Sequence, residues 1–329
     1  MSLNLTKFPF YRLPVLALQE VIKSMELDVM FFYSLTSTKA QKMLKISLPK
    51  NYLHLDCYLA MEKKITVESP SSRNKLAFKF CNSSFNSYQS QMQNVHSVYF
   101  TNFNGTIEIC RGEPLEVQVH ELIINLAGNF NFPKISMNFQ TALEPQTALE
   151  LLNNVKSLSL PMVKIELGTE TSAEIYKGFL DEGSRITESL IMGCISPIDF
   201  QYTPSQDFHL ERFEVRDGDW VNLEDYINCR HVIVHNVTRA HDMYSVNAQR
   251  LNQFFKNWQR SGCQLERLQI DVSSAYLVGG INFDEVIAGL NGTNIIRDQF
   301  EDSVNIERQD GKKATILLTT VNLTLEIKS

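Results

Sequence analysis

The sequence predicts an α/β protein in which a small three-helix bundle, residues 1–50, precedes a solenoid-like α/β domain, residues 51–329. Three observations favour this class. Apolar residues near the amino terminus recur with the 3.6-residue period of a helix. Short apolar runs of β type recur along the rest of the chain, and helical patterns separate several of them. A strand followed by a helix is therefore the expected repeating unit.

The first predicted helix begins at Pro14 in the stretch YRLPVLALQEVIKSM. Its core face consists of residues at helical spacing, namely Pro14, Leu18, Val21, Ile22 and Met25. Val15, Leu16 and Ala17 point elsewhere, so the helix is apolar on more sides than its own bundle can cover. Two further short helices are expected around the apolar residues at 27–35 and 40–44. Either the rest of this chain or another protein must cover the remaining surface.

Beyond residue 50 the chain repeats a loose pattern of apolar and polar positions. The seven matching runs are VHSVYF, VHELII, VKSLSL, TESLIM, LERFEV, CRHVIV and LERLQI. Helices are predicted at TALELLNN, SAEIYKGFLDEG and AQRLNQFFKNWQRSG, with Gly262 as the C-cap of the last. Irregular spacing of solenoid size indicates a leucine-rich-repeat-like architecture.

Both ends of the predicted solenoid carry hairpin signals. Residues 62–80 are typical of two short strands around a turn at residues 69–74, and they are expected to cap the amino-terminal end. The stretch VNIERQDGKKATILL predicts a hairpin with a two-residue turn at Asp310 and Gly311, both in positive φ. This second hairpin is expected to close the carboxyl-terminal edge.

Composition excludes several classes of protein. The net charge of −6 and the absence of any Lys or Arg run longer than two residues argue against nucleic acid as a main partner. The six cysteines show no metal-ligand spacing and are interpreted as free thiols of a reducing compartment. Neither a signal-type start nor a membrane-spanning apolar stretch is recognisable. We therefore expect an intracellular protein of the cytoplasm, the nucleus or both.

Residues 8–46 resemble an F-box. The resemblance is carried by Leu13 and Pro14, by the apolar positions up to Phe31, and by the segment Ser34 to Ser37 followed by Lys39. Downstream, DWVNLEDYINCRHVIVHNV, LNQFFKNWQRSGCQLERLQI and VNIERQDGKKATI are similar to the type 2 F-box-associated domain of large nematode families. Together the two resemblances extend over nearly the whole chain.

The resemblance implies a non-catalytic substrate receptor of a Skp–cullin–F-box ubiquitin ligase, with the Skp-type adaptor, and through it a cullin, as partners. The adaptor-binding residues would be Leu13, Pro14, Val15, Leu16, Leu18, Val21, Ile22, Leu27, Met30 and Phe31. The chain departs from many F-boxes at Asp28, where a second proline is common. Asp28 is expected to act instead as the N-cap of the second helix.

The segment CRHVIVH offers the clearest cluster of metal-ligating types. Strand parity would put Cys229, His231, Ile233 and His235 on one face, where two imidazoles and a thiolate could hold zinc. A fourth ligand is missing, although His241 is close, and we favour an exposed polar face without metal. The candidate substrate-binding residues on this face are Arg212, Glu214, Arg216, His231, Ile233, His235, Arg267 and Gln269.

No catalytic motif or cofactor-binding loop is recognisable, and no cofactor is expected. The main alternative to a ligase receptor is a repeat scaffold for protein–protein interaction, whose amino-terminal helices only close the solenoid. An enzyme with an unrecognised site is a third possibility, which a deep polar pocket would favour. Exposure of the first helix separates the first two: a receptor leaves it open, whereas a scaffold buries it.

Overall fold

The computed structural model describes residues 13–69, 75–81, 106–110, 113–131, 133–141, 143–205, 208–235, 247–273 and 280–328. The chain forms two compact units, residues 1–162 and 163–329. Both mix helices with strands, which confirms the α/β class. The three amino-terminal helices belong to the first unit, and the domain boundary predicted near residue 50 stays a prediction.

The first unit opens with three helices, as the apolar spacing predicts. They are α1, Val15–Ser24; α2, Leu27–Thr36; and α3, Thr38–Ser47. Leu18 and Ile22, one turn apart on α1, are buried. The hydroxyl of Ser37 caps α3 by accepting a hydrogen bond from the backbone N–H of Ala40 at 3.2 Å. This cap lets α3 begin only two residues after α2 ends.

The predicted N-cap role of Asp28 is wrong. Glu26 occupies the N-cap position of α2, without a side-chain capping bond, and Asp28 lies inside the first turn. A carboxylate there still favours the helix, because the first turn carries the positive end of the helix dipole.

Five strands and two further helices complete the first unit. The strands are β1, His54–Leu59; β2, Lys63–Glu68; β3, Leu76–Cys81; β4, Thr106–Cys110; and β5, Lys134–Phe139. The helices are α4, Leu115–Asn129, and α5, Pro145–Lys156. Strand β2 is antiparallel to both β1 and β3. Strand β4 is parallel to β3, and β5 is parallel to β1. The hairpin predicted at residues 62–80 is thus confirmed as β2–β3, although its turn, 70–74, lies outside the described residues.

Two of the runs interpreted as strands belong to helices. VHELII lies within α4, where Val119, Leu122, Ile123 and Leu126 are buried at spacings of three and four residues. VKSLSL begins at the end of α5 and continues into a turn. A six-residue window is too short to separate the helical from the strand period, whereas the whole of α4 shows period 3.6. VHSVYF lies outside the described residues.

The second unit begins with the strand–helix pattern that the sequence predicts. Its first elements are β6, Met162–Leu167; α6, Ala173–Ile186; β7, Thr187–Met192; β8, Arg212–Val215; a 3₁₀ turn, Leu223–Tyr226; β9, His231–Val234; α7, Ala248–Arg260; and β10, Arg267–Asp271. Strands β7, β8, β9 and β10 are parallel neighbours. The runs TESLIM, LERFEV, CRHVIV and LERLQI are confirmed as these four strands, and all three predicted helices are confirmed as α5, α6 and α7.

The carboxyl-terminal elements form an antiparallel meander. They are α8, Phe283–Ile287; β11, Gly292–Arg297; β12, Glu301–Glu307; β13, Lys313–Thr319; and β14, Asn322–Ile327. Strand β14 pairs antiparallel with β10, and β13, β12 and β11 follow outward in that order. Strand β14 therefore covers the edge of the parallel strands at β10. The predicted hairpin, β12–β13, lies on the far side of β14 and does not contact that edge directly.

The hairpin β12–β13 is confirmed, but its turn is not the predicted two-residue type. Only Gly311 has a positive φ, of 85°, and Asp310 does not. The Gly311 N–H donates to the Arg308 carbonyl at 2.9 Å, and the Arg308 N–H donates to the Lys312 carbonyl at 2.9 Å. This is a longer loop in which glycine takes the single left-handed position.

Helices α6 and α7 supply the core of the second unit. Tyr176, Phe179 and Leu180 of α6 are buried, as are Phe255 and Trp258 of α7. The Trp258 indole N–H donates to the Leu265 carbonyl at 3.2 Å, just before β10. Gly262 is not the C-cap of α7, because Ser261 takes that position in an extended conformation. In the described part of the chain no helix has the length and apolarity needed to cross a bilayer.

Candidate functional site

The face of strands β8–β10 that is turned away from the core collects the predicted substrate-binding residues. The buried residues of these strands alternate with them and are Phe213, Val215, Val232, Val234, Leu268 and Ile270. The accessible or half-buried ones are Arg212, Glu214, Arg216, His231, Ile233, His235, Arg267 and Gln269. The predicted parity is confirmed. We call this surface the open face, and its role in binding stays a prediction.

Strand register arranges the open face in rows. Arg212 lies opposite His231, and His231 lies opposite Arg267 on the next strand. Two residues further along, Glu214, Ile233 and Gln269 align in the same way. Directly opposite side chains on one face of a sheet are close enough to bind one ligand together. The first row is basic, and the second centres on one apolar side chain.

Glu214 organises part of this surface. One of its oxygens accepts hydrogen bonds from Arg212 Nε at 3.1 Å and from Arg212 Nη2 at 2.5 Å. The other oxygen lies 3.3 Å from His235 Nε2. The Arg267 side chain, in contrast, makes no ion pair or hydrogen bond with another described residue, and it is exposed. Its guanidinium is therefore the group of the basic row most available to an acidic partner.

The prediction that Cys229 shares this face is wrong. Strand β9 begins only at His231, and Cys229 lies buried in the turn before it. Burial in apolar surroundings raises the pKa of its thiol to about 12, so a metal-ligating thiolate is disfavoured. His231 and His235 are four residues apart in an extended strand, about 13 Å, which is too far to share one ion. Among the described residues no group of three potential ligands can hold a metal; His241 lies outside them.

Helix α1 presents a second candidate surface, in the first unit. Val15 is 59% exposed and Leu16 is 77% exposed, as the spacing of the apolar residues predicts. Gln19 Nε2 donates to the Ile46 carbonyl at 3.3 Å, which places the end of α3 beside α1. The Ile46 side chain is 62% exposed. We call Val15, Leu16 and Ile46 the helix-α1 patch.

Half of the predicted adaptor-binding residues cannot reach a partner directly. Leu18, Ile22, Leu27, Met30 and Phe31 are each at most 5% exposed. Phe31 packs edge-on against Phe78 of β3 at 5.0 Å between ring centres, so α2 is held on the sheet of its own unit. Pro14 and Val21 are exposed and Leu13 is half-buried. These five buried residues therefore belong to the core of the first unit. The sequence predicts them as binding residues because apolar spacing alone does not distinguish a core face from a binding face.

The sequence analysis missed an open, polar cavity of about 980 Å³ in the second unit. It is lined by cationic residues of α7, β13 and the carboxyl-terminal end together with amide side chains. Its lysines and arginines fall in three separate segments of the sequence, 256–260, 308–313 and 328, so they form no basic run. Finding the cavity from the sequence would have required knowing which strands and helices lie next to one another, so that their positive charges could be added together.

Comparison with known proteins identifies no matching family model, no matching curated protein and no matching solved structure. A functional assignment therefore has to come from the residues of this chain.

Proposed function

We propose that this protein is a substrate receptor of a Skp–cullin–F-box ubiquitin ligase. The helix-α1 patch would bind the Skp-type adaptor, and the open face would hold a protein substrate. The observation that carries the proposal is the exposure of Val15 and Leu16 on a helix whose other side buries Leu18 and Ile22. In this role the protein needs no catalytic side chain, because it raises the effective concentration of a substrate lysine near the conjugating enzyme.

The energetics of the helix-α1 patch favour a protein partner. Burying one aliphatic side chain contributes roughly 1.5–3 kcal/mol, so covering three neighbouring ones gives a useful share of a micromolar affinity. Leu16 points almost directly away from Leu18, and no packing role inside the first unit explains its apolar character. A solvated position of this kind would tolerate a polar residue without loss of stability.

A leucine-rich-repeat-like architecture belongs to the same proposal. Its support is the run of parallel strands β7–β10, with α6 directly before β7 and α7 between β9 and β10, each helix buried on one side, and a polar, accessible strand face. The repeats are irregular, since a 3₁₀ turn replaces the helix between β8 and β9. Proteins of this type commonly use the accessible strand surface to bind partners.

The alternative function is a repeat scaffold without ligase recruitment, and one observation favours it. Helix α2 packs firmly within the first unit: Phe31 contacts Phe78, and the Asn129 side-chain amide donates to the Ser34 hydroxyl at 3.3 Å. These contacts fit helices that close the domain. They leave the exposure of Leu16 unexplained, which is why we favour the receptor.

Co-purification with a Skp-type adaptor separates the two functions. We expect the full chain to retain the adaptor, and Leu16→Glu to abolish retention without unfolding the protein, because Leu16 is solvent-exposed. Met61→Glu is a matched control, since Met61 is 93% exposed in the same unit and receives the same change. No retention by the wild-type chain would support the scaffold. Equal retention by wild type and Leu16→Glu would remove the helix-α1 patch as the binding surface.

The buried residues need a different test. Leu18→Asp or Ile22→Asp is expected to abolish adaptor retention by unfolding the bundle, because a carboxylate in the core costs several kcal/mol to desolvate. Their effect on binding therefore counts only together with a measurement of folding. We also expect the protein in the cytoplasm or nucleus, where such ligases act.

A further inference from the structure

The polar cavity of the second unit concentrates positive charge in an acidic protein. Lys256 and Arg260 of α7, Lys313 of β13, and Lys328 line it, whereas Glu307 is the one carboxylate among its described lining residues. The chain as a whole carries a net charge of −6. This local reversal of sign is not explained by the packing of the unit, because most of these side chains are at least partly accessible.

Most of the cavity cations have no ion-pair partner in the described part of the chain, although Glu307 lies opposite Lys313 in the β12–β13 pairing. Within the described residues, the side chains of Lys256, Arg260 and Lys313 make neither an ion pair nor a hydrogen bond. Lys328 Nζ donates to the Asn305 side-chain oxygen at 2.6 Å, which fixes its position without neutralising it. Arg308 also lines the cavity, but Asp310 neutralises its guanidinium at 2.7 Å. Several uncompensated positive charges therefore face one volume.

The walls hold these charges on regular structure. Asn305 lies on β12 and accepts a second hydrogen bond from the Thr315 hydroxyl at 2.9 Å, so the partner of Lys328 is itself fixed. The Lys256 ammonium lies against Gly289, 3.5 Å from where a Cβ atom would stand, and Gly289 has a φ of 71°. A side chain at position 289 would be strained by this φ, although its Cβ would meet Lys256 only at an ordinary contact distance. Amide side chains, including Gln259 and Asn291, provide neutral hydrogen-bonding groups.

We infer that this cavity binds an anion carrying two or more phosphate groups. Lysine ammonium groups bind phosphate oxygens well as point charges, and a cleft lined by one sign of charge raises the local concentration of the opposite sign. The cations lie on α7, on β13 and at Lys328 around a volume of about 980 Å³, which has room for more than one phosphate group. The phosphates belong either to a small polyphosphorylated molecule or to a phosphorylated protein segment. The inference does not depend on adaptor binding by the first unit.

Calorimetric titration of the full chain tests the inference, with inorganic tripolyphosphate and a peptide carrying two phosphoserines as separate probes. We expect at least one probe to bind, and Lys256→Gln with Lys313→Gln to weaken that binding about fivefold or more. Raising salt from 50 to 300 mM should weaken it further, because partly exposed charges are screened. Binding of the peptide alone would assign the ligand to a protein, and binding of tripolyphosphate alone to a small molecule.

A matched control separates a site from general charge. Lys42→Gln with Lys177→Gln removes two exposed lysines outside the cavity, and the affinity for the binding probe should not change. Equal unfolding midpoints for both double variants and the wild type will show that neither has lost its fold. Failure of both probes to bind, or equal weakening in both double variants, would overturn the inference.

Discussion

The Arg308 guanidinium lies over the Trp258 indole, 5.2 Å from the ring centre, and so joins the β12–β13 loop to helix α7. The side chain is only 1% exposed. Arg308 Nη1 also donates to the Cys263 carbonyl at 2.8 Å, and Arg308 forms an ion pair with Asp310. The hairpin is therefore fixed to the core by one buried cation whose hydrogen bonds are satisfied.

Replacing Arg308 should destabilise the second unit. For Arg308→Gln we expect a loss of about 2–4 kcal/mol in the free energy of unfolding, because the ion pair, the hydrogen bond to Cys263 and the contact with Trp258 disappear together. Urea unfolding measures this loss. Arg297→Gln is the control: Arg297 also pairs with carboxylates and an aromatic ring, but it is more accessible, and its loss should stay below about 1 kcal/mol. Equal losses would contradict an anchoring role for Arg308.

Asp310 makes the stability of the hairpin sensitive to acid. The hydrogen bond from Arg308 lowers the pKa of Asp310 from 3.8 to about 2. A carboxylate with a depressed pKa stabilises the folded state above its unfolded value, and that contribution is lost as the pH falls from about 4 towards 2. We therefore expect the stability difference between wild type and Asp310→Asn to shrink over this range. A difference that is independent of pH would contradict the assigned pKa.

Two helical glycines should respond differently to replacement by alanine. At Gly183 of α6 a Cβ would come within 2.9 Å of Leu190 Cδ1, whereas a Cβ at Gly128 of α4 would meet nothing within 4 Å. Alanine favours a helix by about 1 kcal/mol over glycine, but overpacking costs about 1–3 kcal/mol. We expect Gly128→Ala to raise the midpoint of thermal unfolding and Gly183→Ala to leave it unchanged or lower it. A clear rise in both variants would show that the Leu190 side chain or the packing of α6 on β7 adjusts without cost.

Charge reversal tests the open face. Arg212→Glu with Arg216→Glu should leave adaptor binding intact, because the change lies in the second unit, and should weaken capture of substrates identified by proximity labelling. Lys177→Glu with Arg185→Glu is a control with the same charge change on accessible residues of α6. A substrate profile that is unchanged in the Arg212 and Arg216 variant would remove the open face as the binding surface.

Sequence patterns predicted the elements whose burial is one-sided. Helix α7 separates apolar Phe255 and Trp258 from polar residues so clearly that only a helix fits, and β8–β10 alternate strictly between buried and accessible side chains. Helix α4 was misinterpreted in part because VHELII satisfies a strand-like pattern over six residues. The sequence does not predict strands β5 and β6, because their buried and accessible residues do not alternate regularly. In β5 the polar Ser136 is buried, and in β6 the apolar Val163 is half-buried.

The sites were less predictable than the fold, for a physical reason. The exposure of Leu16 follows from helical spacing, because it lies opposite Leu18. The burial of Phe31 does not follow, because it depends on Phe78, which is distant in the sequence. The cation-rich cavity likewise depends on the approach of α7 to the β12–β13 hairpin, which leaves no local signal although the hairpin itself does.

Whether the helix-α1 patch binds a Skp-type adaptor is best measured by calorimetric titration of the purified full chain with purified adaptor. We predict saturable binding by the wild type, binding at least about thirtyfold weaker for Leu16→Glu, since burial of one leucine is lost and a carboxylate must be desolvated, and unchanged binding for Met61→Glu. No binding by a folded wild-type chain, or equal affinity for all three proteins, would contradict adaptor binding by this patch.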